Sequence, residues 1–155
     1  MNEISVRKAT VEDLDVLLAF EQGIVTNERP FDGTLKEGEI HYYDLAEMIT
    51  ADHVRVIVAA AGNEIIGSGY ARIETAKAYQ KHSLYAYLGF MYVKPEYRGK
   101  GVNKLVLAAL QDWCRERNIH ELRLEVYTEN LPAVKAYEKA GFKPLLTWMR
   151  IGLDE

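Results

Sequence analysis

The sequence predicts an α/β (α+β) fold built on a mixed sheet. Three observations carry this. Segments alternating with period two and segments of helical spacing take turns along the chain. Gly62-Asn63, a hairpin signal, lies between two β-branched runs, so part of the sheet is antiparallel. The 155 residues, 48% apolar and 27% charged, suffice for one complete core, and we expect one domain over 1–155.

The elements follow in order. Ile4 to Lys8 alternates in the manner of a strand. Thr10-Val-Glu-Asp13 is a capping-box variant that opens a helix carrying Leu14, Leu17, Leu18 and Glu21. Asn27 to Glu39 collects Pro30, Gly33, Gly38 and several charges and reads as a loop, with a short helix after it over Tyr42 to Thr50. His53 to Ala61 and Ile65 to Glu74 are the two arms of the hairpin, and Leu84 to Val93 is a further strand ending at Lys94-Pro95. Val102 to Arg117 repeats Val102, Leu105, Val106, Ala109, Leu110 and Trp113 at helical spacing. Glu121 to Tyr127 alternates again, with Leu122, Leu124 and Val126 on one face. Pro132 to Lys139 reads as a short helix stopped at Gly141, and Leu145 to Leu153 as a last strand. The chain shows no internal repeat, low-complexity tract or linker.

Charge and cysteine content narrow the function. Lys and Arg number 19 against 23 Asp and Glu, a net charge of −4, which argues against nucleic-acid and anionic-membrane partners. The single cysteine, Cys114, rules out an intrachain disulfide, fits a reducing compartment and reads as a packed small residue on an amphipathic helix. No apolar run approaches the roughly 18 residues that cross a bilayer, and Met1 to Thr10 holds no apolar signal core. A cytoplasmic protein is expected. His41, His53, His82 and His120 lack metal-ligand spacing, so no metal is expected. Nothing in the sequence separates a monomer from a homodimer.

The stretch Met91-Tyr-Val-Lys-Pro-Glu-Tyr-Arg-Gly-Lys-Gly-Val-Asn-Lys104 runs from a strand end through a Pro-containing turn into a helix. Gly99 and Gly101 let the backbone approach a ligand and permit positive φ. Successive N–H groups in such a turn, with the exposed donors of the next helix, make an anion site. Arg98, Lys100 and Lys104 add three cations within seven residues, a local departure in an acidic chain that suggests a pyrophosphate. A Walker loop is absent, because its spacing and the hydroxyl after Lys100 are missing. Gly67-Ser-Gly69 has only two of the three glycines of a dinucleotide fingerprint and lies in mid-strand. A solvent-facing turn rich in Gly and Lys has the same composition, and the turn alone does not choose.

Val93-x-Pro-x-Tyr-Arg-Gly-Lys-Gly-Val resembles the acetyl-CoA-binding segment of the GNAT superfamily of N-acetyltransferases, written Arg/Gln-x-x-Gly-x-Gly/Ala. Arg98 and Gly101 fill its first two fixed positions, while the third falls on Asn103 where the family has Gly or Ala. A later segment, Leu124 to Phe142, resembles the family's second motif through Asn130, Ala133, Tyr137 and Gly141-Phe142. The resemblance is strong over residues 84–142. It implies a mixed, mostly antiparallel central sheet of six to seven strands with helices on both faces. The thirteen residues after Phe142 leave room for one long strand where the family commonly has two.

For the chemistry, the resemblance implies acetyl-CoA as cosubstrate, no metal, and direct transfer of an acetyl group to a primary amine. The main chain of Met91, Tyr92 and Val93 would bind pantetheine and the acetyl oxygen. Arg98, Gly99, Lys100, Gly101, Val102, Asn103 and Lys104 would hold the pyrophosphate, and Asn130 would touch the cofactor or simply cap the helix after it. Tyr137 carries over as the acid for the departing sulfur, against the alternative of a tyrosine packing on the sheet. Glu125, expected in mid-strand and partly desolvated, is the candidate base, against the alternative of an ion pair with Arg123 or Arg72. Arg29, Phe31 and Tyr42 lie where the family recognises its acceptor. A small-molecule amine is the expected acceptor. A protein or peptide amine, and a non-catalytic CoA-binding regulatory domain, stay open.

Overall fold

A computed structural model describes residues 3–154; the first two residues of the amino-terminal stretch read above, and the last residue, lie outside it. The chain divides into a compact unit ending at Glu125 and a second beginning at Val126.

The first unit holds five strands in the order β1-β2-β3-β4-β5: β1 Ile4–Lys8, β2 Val54–Ala61, β3 Glu64–Thr75, β4 Leu84–Val93 and β5 Leu122–Arg123. The first four pair antiparallel, and β5 joins β4 in parallel. The sheet is therefore mixed and mostly antiparallel, with five strands where six to seven were expected. The missing carboxyl-terminal strand accounts for the count, and β5 is shorter than expected. The ladder expected over Glu121 to Tyr127 is reduced to Ala86↔Leu122 and Tyr87↔Arg123. The strand expected over Leu145 to Leu153 does not form, and Leu145, Leu146, Trp148, Met149 and Ile151 are each at least 81% exposed. Its apolar residues occupy both parities, so no single face of a strand there would be apolar.

Helix α1 (Leu14–Glu28) follows a 3₁₀ turn at Val11–Asp13, where the Asp13 carboxylate accepts the Thr10 N–H at 2.7 Å and takes both ends of the Arg7 guanidinium. Helix α2 is shorter than expected, Leu45–Thr50, capped by Asp44. Helices α1 and α2 cover one face: Leu17, Phe20, Ile24, Leu45, Met48 and Ile49 pack on Val54, Val56, Val58, Tyr70 and Phe90. Helix α3 (Val102–Glu116) covers the other. It lies so close that a Cβ on Gly67 would meet Val102 at 2.9 Å and one on Gly69 would meet Val106 at 2.8 Å. Gly67-Ser-Gly69 is thus a helix-packing surface. Cys114 is buried on this helix, and burial pushes its thiol up to about 11, which fits a packed residue.

The second unit holds α4 (Leu131–Lys139), whose first turn contains Pro132. Its end is a Schellman cap. Gly141 adopts φ +105° and donates its N–H to the Glu138 carbonyl at 3.0 Å, and Phe142 donates to the Tyr137 carbonyl at 3.0 Å. The Tyr137 and Phe142 rings meet edge-to-face at 5.8 Å, the apolar contact such a cap brings with it. No helix among the described residues is long and apolar enough to cross a membrane.

Candidate active site

Strand β4 is irregular where it matters. Ser68 pairs with Tyr92 and Tyr70 with Gly89, so two steps along β3 face three along β4, an extra residue forming a bulge. Phe90 takes φ +57°, a conformation costing a non-glycine residue about 1 kcal/mol. The buried Ser68 hydroxyl donates to the Phe90 carbonyl at 2.9 Å and satisfies it. From Leu88 onward, no strand among the described residues pairs with the outer edge of β4. The main chain of Met91, Tyr92 and Val93 lies in that diverging stretch.

The turn after β4 is anchored at its base. The Lys94 N–H donates to the Ile66 carbonyl at 2.8 Å, while the Lys94 ammonium and Tyr97 hydroxyl reach the Glu64 carboxylate at 2.9 and 3.1 Å. These hydrogen bonds, Lys94 first, hold the Glu64 carboxyl below the usual carboxylate range. Arg98 donates through Nε to the Val93 carbonyl at 3.0 Å and lies over the Tyr92 ring at 5.7 Å, and the Lys100 ammonium lies 5.3 Å from the Tyr97 ring centre. Gly99 and Gly101 have φ of +77° and +81°, and a Cβ on either would meet no protein atom within 4 Å. Both glycines are therefore demanded by the backbone, and the space above the turn is open. Gly101 caps α3, and Leu105 is the first residue whose N–H bonds back, to the Gly101 carbonyl at 3.2 Å. The N–H groups of Val102, Asn103 and Lys104 are thus the helix-end donors that bind anions, with the exposed Lys104 side chain beside them. This donor set fits a pyrophosphate, and the unpaired edge of β4 fits an extended amide chain such as pantetheine.

Around the middle of β4 stands a group of tyrosines. Tyr43 meets Tyr70 at 5.6 Å, Phe90 at 5.3 Å and Tyr42 at 5.7 Å, all edge-on, and Arg72 lies over the Tyr70 and Tyr87 rings at 5.6 and 5.4 Å. Burial first, and then the charge of Glu125, raise the Tyr87 phenol far above its ordinary range; burial likewise raises Tyr43. Both stay neutral at physiological pH. A recess of about 230 Å³ opens beside Tyr42 and Tyr43, edged by Asp44, Glu47, His53 and Arg72.

Glu125 is not the half-buried strand residue that was expected. It lies two residues past the end of β5 and is exposed, because the ladder stops at Arg123. Nor does it pair with either arginine weighed for it. Arg72 is taken by Glu74, and Arg123 by Glu121, Gln80 and His82, with its guanidinium 4.0 Å over Tyr85. In the second unit, Asn130 caps α4, its Oδ1 accepting the Ala133 N–H at 3.4 Å, and Tyr137 is half-buried on that helix. Arg29 donates to the Lys36 and Gly38 carbonyls at 2.7 and 2.6 Å and so braces the loop after α1, where Phe31 is half-buried. The Tyr42 side chain points inward, with its hydroxyl buried.

Glu21 is the residue whose role the sequence concealed. Fully buried on α1, it accepts the Tyr42 and Tyr43 N–H groups on Oε2 at 2.7 and 2.9 Å and pairs His41 Nδ1 on Oε1 at 3.0 Å. The hydrogen bond that His41 donates to Glu21 raises the His41 pKa. A carboxylate on the apolar stripe of a helix was the available signal. Among the described residues, no group of three His, Cys, Asp or Glu is arranged to hold a metal ion.

The profile of the acetyltransferase (GNAT) family matches residues 24–142. An aminoglycoside N(6')-acetyltransferase type 1 of Stenotrophomonas maltophilia is 30% identical over 90 residues, 56% of this chain and 58% of that protein. An N-alpha-acetyltransferase of Saccharolobus solfataricus is 27% identical over 146 residues, 91% of this chain and 81% of that protein. The chain spans 32% and 58% of the first two curated relatives it matches, less than two thirds of either. Among solved structures, a predicted acetyltransferase of Clostridium acetobutylicum with acetyl-CoA shares the fold at a TM-score of 0.70 and 22% identity, covering 97% of this chain and 96% of that one.

Proposed function

Since this chain belongs to the acetyltransferase (GNAT) family, we propose that it moves an acetyl group from acetyl-CoA directly to the primary amine of a small molecule, its two units acting as one domain. The observation that carries this reading is the glycine turn and α3 amino terminus lying next to the bulged, unpaired edge of β4. Arg98 to Lys104 hold the pyrophosphate, and the main chain of Met91 to Val93 takes the pantetheine amides and polarises the acetyl carbonyl. The amine nitrogen attacks that carbonyl carbon, the C–S bond breaks, and the sulfur takes a proton. Tyr137 supplies it, since a phenol with a reference pKa near 10 keeps its proton at neutral pH while a thiolate, near 8.5, accepts one. Asn130 contacts the cofactor in addition to capping α4. The incoming ammonium first loses a proton to a carboxylate near Tyr87. Cys114, a free thiol, makes the cytoplasm the proposed compartment.

A cationic small acceptor is supported by the aminoglycoside-acetylating relative and by the negative charges of Glu125 and Glu28 acting on Tyr87. The N-alpha-acetyltransferase relative, which matches more of the chain, favours a second reading in which the acceptor is a protein amino terminus. Calorimetric titration with acetyl-CoA, followed by thiol release with 1,4-diaminobutane, neamine and a peptide bearing a free α-amine, separates the two. Tyr137→Phe is expected to keep acetyl-CoA affinity and lower turnover; unchanged turnover removes Tyr137 from the mechanism.

A further inference from the structure

We infer that Glu21, buried on α1, is a positioning residue for acetyl transfer. It seats Tyr43 on Phe90, at the bulge that aims the main chain of Met91 to Val93 at the acetyl carbonyl. This rests on the acetyltransferase reading above.

Residues 40–43, just before α2, belong to no helix or strand, and two adjacent side chains of α1 hold them. Gln22 donates through Nε2 to the Ile40 carbonyl at 2.7 Å. Glu21 accepts the Tyr42 and Tyr43 N–H groups on Oε2 at 2.7 and 2.9 Å, and its Oε1 pairs with His41 Nδ1 at 3.0 Å. Both carboxylate oxygens are therefore engaged, and the side chain is fully buried. Glu21 acts on the main chain of its neighbours, through charge-assisted hydrogen bonds, and not on a substrate.

The grip positions the Tyr43 ring. That ring meets Phe90 at 5.3 Å and Tyr70 at 5.6 Å, both edge-on. The Tyr70 ring in turn lies on Gly89, where a Cβ would meet it at 2.6 Å. Tyr43 thus bears on both residues of the bulge, on Phe90 directly and on Gly89 through Tyr70. The φ of +57° at Phe90 is sparsely populated for a non-glycine residue and persists only where its surroundings hold it. The Ser68 hydroxyl holds the Phe90 carbonyl at 2.9 Å, and Tyr43 holds the ring. Past the bulge, the same turn of α1 fixes Tyr92: Phe20 stacks on it at 4.8 Å, and a Cβ on Gly23 would meet it at 2.6 Å. Residues 20–23 therefore secure β4 on both sides of the bulge, at Tyr92 by contact and at Phe90 by way of Glu21. Loosening the second hold lets the bulge relax and turns the donors of Met91 to Val93 off the carbonyl. The pyrophosphate site at the glycine turn keeps its own anchors, Lys94 and Tyr97 on Glu64.

The test uses the full chain with [1-¹³C]acetyl-CoA, and with 1,4-diaminobutane and neamine as acceptors. Wild type is compared with Glu21→Gln, Glu21→Ala, Tyr43→Leu and Asp13→Ala. Tyr43→Leu keeps the backbone grip and removes the ring, so it decides the matter if Glu21→Ala does not fold. Asp13→Ala removes the Thr10 and Arg7 bonds at the other end of α1 and is the control for destabilisation as such. Carbonyl polarisation is read directly, as the downfield ¹³C shift of the bound thioester. Glu21→Ala and Tyr43→Leu are expected to keep acetyl-CoA affinity, lose about 10- to 100-fold in kcat and return the carbonyl resonance toward its free position. Glu21→Gln, whose carbonyl still accepts both N–H groups, and Asp13→Ala are expected to match wild type in all three. A folded Glu21→Ala or Tyr43→Leu with the wild-type resonance or kcat overturns the inference alone. So does a glutamine variant as impaired as alanine, or the same losses in Asp13→Ala. A wild type that binds acetyl-CoA without shifting its carbonyl resonance, or does not bind it, overturns the acetyltransferase reading and this inference with it. A shifted resonance with neither amine turned over overturns only the small-molecule acceptor, and the carbonyl readout then decides on Glu21.

Discussion

Removing the Glu21 side chain tests whether one buried carboxylate organises the segment leading into α2. In Glu21→Ala, the Tyr42 and Tyr43 N–H groups, now 2.7 and 2.9 Å from Oε2, lose their acceptor together. An unmet buried donor costs about 1–3 kcal/mol, so the pair costs about 2–6 kcal/mol. Water entering the vacated space recovers part, and about 2–3 kcal/mol is the expected loss, a large share of the roughly 5–15 kcal/mol that holds a domain folded. Glu21→Gln behaves differently. Both backbone donors converge on a single oxygen, so a glutamine carbonyl replaces it, while the amide NH₂ turns to a neutral His41. Only the charge assistance is lost, about 1 kcal/mol. Urea unfolding followed through the buried Trp113 measures both variants. Glutamine as damaging as alanine, or alanine within 1 kcal/mol of wild type, would refute the reasoning.

Three further outcomes are expected. Gly101→Ala, at φ +81° with no atom near its Cβ, costs about 1–2 kcal/mol of backbone strain by urea unfolding and weakens acetyl-CoA in calorimetry; a variant as stable as wild type contradicts the assigned backbone. Ser68→Ala leaves the Phe90 carbonyl unmet and lowers stability by about 1–3 kcal/mol, checked by the same unfolding curve. His41 has a folded-state pKa above its unfolded value, so its pairing with Glu21 contributes fully below pH of about 6.5 and is lost as pH rises through the higher folded value. Urea midpoints across that window should fall in wild type and stay flatter in His41→Asn.

Regular segments were legible because periodicity and punctuation agreed. Strands β1 and β4 begin and end where alternation does, and Gly62-Asn63 turns the hairpin. Gly141 stops α4, and the Tyr137, Gly141 and Phe142 spacing is the spacing of a Schellman cap. Legibility failed where a tertiary partner decides. Tyr42 and Tyr43 look helical, yet their N–H groups go to Glu21, 21 and 22 residues away, so α2 starts at Leu45. Alternation over Glu121 to Tyr127 was real, but the neighbouring strand turns irregular at Gly89 and pairing ends at Arg123. The cations of the glycine turn were visible in sequence. The donors of the β4 edge were not, since main-chain groups have no residue signature. Glycine at 89, against which the Tyr70 ring lies, was the one local hint of the bulge.

The extra residue in β4 also makes that strand count in whole numbers. On an unbroken strand, residues five apart face opposite sides, yet Tyr87 and Tyr92 both pack against the core beneath α1. They share a side only because Phe90 is counted once too often. Deleting one residue between them would restore even pairing and send Tyr92, with the guanidinium resting on it, through the sheet to the side of α3. Substitutions in Leu88 to Met91 can therefore be graded in their effect, whereas changes of length there are all or nothing.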